Sequence, residues 1–176
     1  MAKNLEVDAV GRLLAELRQV QGAIPKPASS PIQRNDGITS HSLAIAPFVD
    51  VTRLDELRAI RSTEFDLSKL IRYCDELNSN YDQGNFLAVP MLGRAILDHV
   101  PPIFECKNFS EVANNYSTGS KSFKQSMGHL ENSLRKIADA HLHVQIRKSE
   151  ILPNRTQVNF SADLDVLLAE IVRLLK

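Results

Sequence analysis

Lys121-Ser-Phe-Lys-Gln-Ser-Met-Gly-His-Leu-Glu-Asn-Ser-Leu-Arg-Lys-Ile-Ala-Asp-Ala-His-Leu-His-Val-Gln-Ile-Arg-Lys148 is the longest unbroken helical pattern in the chain, and its reading decides the fold. Phe123, Met127, Leu130, Leu134, Ile137 and Leu142 supply one apolar stripe, which predicts a helix from Lys121 to about Lys148 with that stripe in a core. Arg135, Asp139, His143 and Arg147 follow one another at four-residue steps. On a helix they form a single, slowly winding polar stripe. Such a stripe is a salt-bridge ladder, a catalytic site or a ligand-binding site.

Working outward, the same periodicity recurs on both sides. Leu54, Leu57 and Ile60 mark a short helix, and Leu67, Leu70, Ile71, Cys74 and Leu77 mark another behind the cap residue Asp66. Residues 86–100 carry a third, with Leu87, Met91, Ala95 and Leu97 inward. Pro90 should make it begin late or kink, and Pro101-Pro102 should stop it. Residues 109–116 predict a short helix. Ser161 looks like the cap of a last one, whose buried face is Leu164, Val166, Leu167, Ile171 and Leu174. The expected fold class is all-α, with a helical bundle over residues 53–176.

The N-terminal part reads differently. Leu5, Ala9, Val10, Leu13, Leu14, Leu17 and Val20, interspersed with charges, predict an amphipathic helix over residues 4–21, within an N-terminal element spanning 1–22. Pro, Ser, Asn and Gly then dominate a long linker, and the Leu43–Phe48 patch is expected to lie across the main body. Together they make residues 23–52 a linker and packing segment. An apolar helix face on a long tether predicts a homo-oligomer or a protein partner engaged through residues 4–21.

Composition limits the partners. Lys plus Arg equals Asp plus Glu at 21 each over 176 residues, so no global field attracts nucleic acid or an anionic membrane. No apolar run approaches the eighteen or so residues that cross a bilayer, and the reading is a soluble cytoplasmic protein without a membrane partner. Cys74 and Cys106 are too few for a disulfide framework and read as ordinary buried thiols.

Several motifs invite chemistry. His141 and His143 lie about 200° apart around a helix, so they cannot share a metal ion, and neither a metal nor another cofactor is expected. Thr118-Gly-Ser-Lys-Ser122 resembles a phosphate loop but lacks its upstream glycine and residue order; a turn before a capped helix explains it better. Lys121, Lys124, Lys136, Arg147 and Lys148 give the region a local basic character suited to RNA or phosphate contact. A second run, Arg94-Ala-Ile-Leu-Asp-His99, has an Asp one turn after its Arg. Either it meets the first run in one polar pocket or the two are separate surface pairs, and separate pairs are the preferred expectation.

Arg135-Lys-Ile-Ala-Asp-Ala-His141 places an Arg and a His on a late helix with five residues between them. In this the region from about residue 53 onward resembles the HEPN superfamily of prokaryotic helical domains, although Lys136 stands where that family typically has a small polar residue. The chain is also similar to uncharacterised bacterial helical proteins sharing the phrases Arg94-Ala-Ile-Leu-Asp-His-Val-Pro-Pro102 and Phe109-Ser-Glu-Val-Ala-Asn-Asn-Tyr116. The HEPN resemblance implies a metal-independent endoribonuclease. In it His141 is the general acid or base and Arg135 stabilises the scissile phosphate, with His143 and Asp139 in support and the site completed by dimerisation. The favoured expectation is a non-catalytic, self-associating helical interaction or regulatory module; the nuclease is the alternative.

Overall fold

In the computed structural model, residues 46–61 and 64–176 are described. The amphipathic stretch 4–21 and the linker up to residue 45 lie outside them. The described residues form helices α1 (Val51–Ala59), α2 (Ser68–Asp82), α3 (Ala88–His99), α4 (Phe109–Asn115), α5 (Lys121–His129), α6 (Arg135–Leu142) and α7 (Ser161–Leu175). A 3₁₀ turn, Pro101–Phe104, follows α3. Among the described residues there is no strand, so the fold is all-α.

Local chemistry sets most helix ends. Asp50 accepts from the Thr52 amide at the start of α1, Asp66 from Ser68 before α2, Asn108 from Glu111 in α4, and Ser120 from Phe123 in α5. The Gly-Ser-Lys-Ser run is thus a turn and a capped helix. Ser161 is the first residue of α7, not its cap, and Asn159 accepts from both its amide and its hydroxyl. Pro90 falls in the first turn of α3, where its missing amide costs nothing, so the helix simply begins at Ala88.

Helices α5 and α6 belong to one rod. Between them, Leu130–Leu134 is a π-turn in which the Arg135 amide donates to the Leu130 carbonyl five residues back. Asn132 Nδ2 also donates to the Gly128 carbonyl at 2.9 Å. The rod ends at Leu142, six residues short of expectation. Val144 and Ile146 are β-branched, alternate with polar residues, and find no core to pack on among the described residues, so nothing tertiary there offsets their low helix propensity.

Phe123, Met127, Leu130 and Leu134 are buried, as the stripe predicts, but Ala138 takes the next core position and Leu142 is exposed. The core also takes in Leu70, Cys74 and Leu77 of α2, Ile96 and Leu97 of α3, Phe109 and Val112 of α4, and Leu164, Leu167, Leu168 and Ile171 of α7. Helix α2 packs on α3, α3 on α6 and the π-turn, α5 on α4 and α7, and α1 closes the bundle against α2 and α7. Arg53 clamps that closure by donating from Nε to Asp165 at 2.9 Å. Phe48 and Val49, just before α1, pack on the body. Phe48 stacks edge-on against Tyr81, and Asn78 holds both the amide and the carbonyl of Val49 at 2.7 and 2.9 Å.

The α3 approach to the rod depends on glycine. A Cβ on Gly93 would sit 2.8 Å from Leu134 Cδ1, whereas one on Gly128 would meet nothing within 4 Å. Gly93→Ala should therefore cost about 1–3 kcal/mol by overpacking, while Gly128→Ala should gain up to about 1 kcal/mol by removing unfolded-state freedom. Urea denaturation of the two variants checks the opposite signs.

Tyr116, just after α4, donates to Glu170 of α7 at 2.7 Å, and Arg173 closes on the same carboxylate at 2.6 Å. Arg173 first, then Tyr116, hold the Glu170 carboxyl below its ordinary pKa. Its stabilising effect is therefore complete above the unfolded carboxyl pKa and fades as pH falls through the lower folded value. Thermal melts should show wild-type stability falling more steeply than that of Glu170→Gln below about pH 4.5.

Candidate functional site

The two Arg-Asp runs meet. Arg94 on α3 pairs with Asp139 on α6, and its Nε lies 3.5 Å from Asp98. Arg135 Nη2 donates to Asp98 at 2.7 Å, and its Nε donates to Glu131 at 3.0 Å. His143 Nε2 stands 4.0 Å from Asp139 at the outer end. A continuous chain of charges, Glu131–Arg135–Asp98–Arg94–Asp139, thus stitches α3 to the rod; the preferred expectation of separate surface pairs does not hold. Glu131 within the π-turn and Arg135 just after it are bonded to each other, while Leu130 and Leu134 are buried.

Asp139 lies one turn beyond Arg135 in sequence, yet it is drawn across to Arg94, while Asp98 crosses the other way to Arg135. Burial works against the charge on Arg135, and Asp98 and Glu131 more than offset it, so its pKa is held above the ordinary value. Two of its guanidinium nitrogens are committed to carboxylates. That arrangement suits a bridge between helices better than a charge waiting for a phosphate.

Apart from His143 at its outer end, the remaining residues singled out in the sequence do not join the seam. His141 opens instead onto an apolar groove of about 320 Å³ lined by Ile137, Ala140, Ile151, Leu152, Pro153 and Gln157. His143 is the C-cap of α6, with its side chain 72% exposed, and Arg147 lies beyond the helix, so the four-step polar stripe stops at His143. His99 packs edge-on against Tyr73, where burial and then Lys69 lower its pKa. The basic residues separate as well. Lys124 and Lys136 are twelve positions apart along the rod, about 18 Å at helical rise, with Arg147 and Lys148 on the loop beyond.

Among the described residues no group of three or more His, Cys, Asp or Glu could hold a metal ion, and no helix is long and apolar enough to cross a membrane. Cys74 is buried and its thiol is pushed up to about 12 by desolvation. Cys106 is only partly covered; burial, then Glu111 and Glu105, raise its pKa too. Neither environment activates a thiolate.

The surface that residue-by-residue reading missed lies just past the rod. Ile146, Ile151 and Leu152 are 93%, 85% and 69% exposed, and Leu142 and Val144 are open beside them in sequence. No hydrogen bond within the described residues engages the backbone of Val144, Gln145 or Ile146. The loop is nonetheless held at its far side. Val158 is buried, and Arg155 donates to the Tyr81 carbonyl at 3.1 Å while stacking over the Tyr81 ring at 4.3 Å. A second groove of about 370 Å³, between this loop and Asn80, Asn85, Phe86 and Leu87, shares Leu152 and Pro153 with the first. The available signal was the two-residue alternation of Leu142, Val144 and Ile146, which belongs to extended chain and not to helix.

Compared with known proteins, the chain matches no protein-family model, no curated protein and no solved structure at a significant level. The seam itself makes a direct prediction. Arg94→Ala, which removes the link between Asp98 and Asp139, should lower unfolding stability by about 1–2 kcal/mol, while His141→Ala should stay within about 0.5 kcal/mol. Denaturant titration of each variant at low and high salt measures both.

Proposed function

We propose that the chain is a non-catalytic helical interaction module that associates with itself, with basic residues that give it a subsidiary phosphate- or RNA-contacting character. The observation that carries this reading is the pairing of an occupied charge seam with an open apolar surface. Arg135, the residue a nuclease of this type would need free, is held by Asp98 and Glu131. Ile146, Ile151 and Leu152, meanwhile, stay largely open to solvent among the described residues. Clustered exposed apolar residues are characteristic of surfaces that bind other proteins.

Residues 142–152 offer such a module an open apolar surface, and the stretch 4–21 has an amphipathic sequence pattern suited to the same role. Arg147 and Lys148 lie within residues 142–152, and an RNA contact there would weaken as salt rises. The alternative, a metal-independent ribonuclease using Arg135 and His141, requires Arg135 to leave its carboxylates and His141 to leave its apolar groove.

Purified full-length chain is expected to show a mass above one chain by light scattering at tens of micromolar and no cleavage of RNA in EDTA. A single-chain mass across that range contradicts the module reading. Cleavage abolished by His141→Ala would establish the nuclease instead.

A further inference from the structure

We propose that residues 142–152 and the two grooves beside them form a two-fold interface with a second copy of this chain. The inference rests on the self-associating module reading and assigns that association to one surface. Three observations argue for a second copy as the occupant. The first is exposure. Ile146, Ile151 and Leu152 are more than two-thirds exposed and Leu142 and Val144 more than two-fifths, so five large aliphatic residues stand open within eleven positions, in contrast to the singly scattered apolar residues ordinary on a monomer's surface.

The second observation is shape. The same patch carries a projecting ridge and a recess. Ile146 and Ile151 stand out on either side of the 147–150 turn, which the Arg147 amide closes on Glu150 Oε1 at 2.7 Å. The grooves that share Leu152 and Pro153 lie next to them, at about 320 and 370 Å³. A two-fold axis sets the same patch against itself, so ridge must meet groove on one surface, and here both are present. Ile146 of each copy fills the recess beside Leu152 of the other.

The third observation is charge. Arg147 and Lys148 are accompanied by Glu150 on the same turn, so the surface carries both signs. A strongly acidic or basic partner would leave one sign unmatched, whereas a two-fold copy sets Glu150 against the basic residues of its mate. Anchoring by Arg155 and Val158 holds the loop at its far side, which limits the ordering cost of association.

The test is light scattering and sedimentation of the full chain beside Ile146→Asp and Ile151→Asp, with circular dichroism as the folding control. Both side chains are more than four-fifths exposed, so the single chain should fold unchanged. Each substitution is expected to weaken dimerisation by about tenfold or more, consistent with a charge placed in a desolvated interface. A wild-type chain of single-chain mass at every concentration overturns the inference together with the reading it rests on. A dimer that survives both substitutions but is lost on deletion of residues 1–24 overturns the inference alone, moving the contact to residues 4–21.

Discussion

The structure depends on how closely α3 can approach the rod formed by α5, the π-turn and α6. Gly93 permits that approach because Leu134 occupies the space a Cβ would need. The apolar contact supplies the stabilisation, and the charges beside it supply the register. Arg94 and Arg135 each reach across the seam to a carboxylate on the opposite helix, so sliding one helix along the other by a turn would break both pairs. Surface ion pairs are individually weak, but linked groups that are half-buried and share partners lose less freedom per bond than isolated pairs do.

That seam also separates two functions that the sequence places on one stretch. Arg135 and Asp139 on α6 pair with Asp98 and Arg94 on α3 and help to hold the bundle together. His141 emerges beside an apolar groove. Beyond Leu142 the chain leaves the helix and presents aliphatic side chains to solvent. The rod thus contributes to the core and the seam, while the recognition we propose falls to the loop of residues 143–152.

Much of the architecture was legible from periodicity and capping. The helix positions follow the 3.6-residue apolar spacing, and Asp66, Pro90 and the Pro101-Pro102 pair act where their chemistry says they should. The illegible part is tertiary. Arg94 and Asp98 lie roughly forty positions before Arg135 and Asp139, and each run taken alone suggests an internal pair one turn apart. In the fold Asp139 crosses to Arg94 and Asp98 to Arg135, and Arg135 takes Glu131 as its partner within the rod. The π-turn has no apolar period of its own in the sequence; Asn132 within it donates to the Gly128 carbonyl. The early end of α6 was visible in principle, since alternation replaces helical spacing from Leu142 onward, but the polar four-step stripe masked it.

Arg135 bridges α3 and the rod through Asp98 and Glu131. A double-mutant cycle on Arg135 and Asp98, read out by equilibrium unfolding, tests it most directly. The account predicts a favourable coupling of about 1 kcal/mol or more between the two side chains. Strictly additive effects, with Arg135→Ala as stable as the parent, would contradict it.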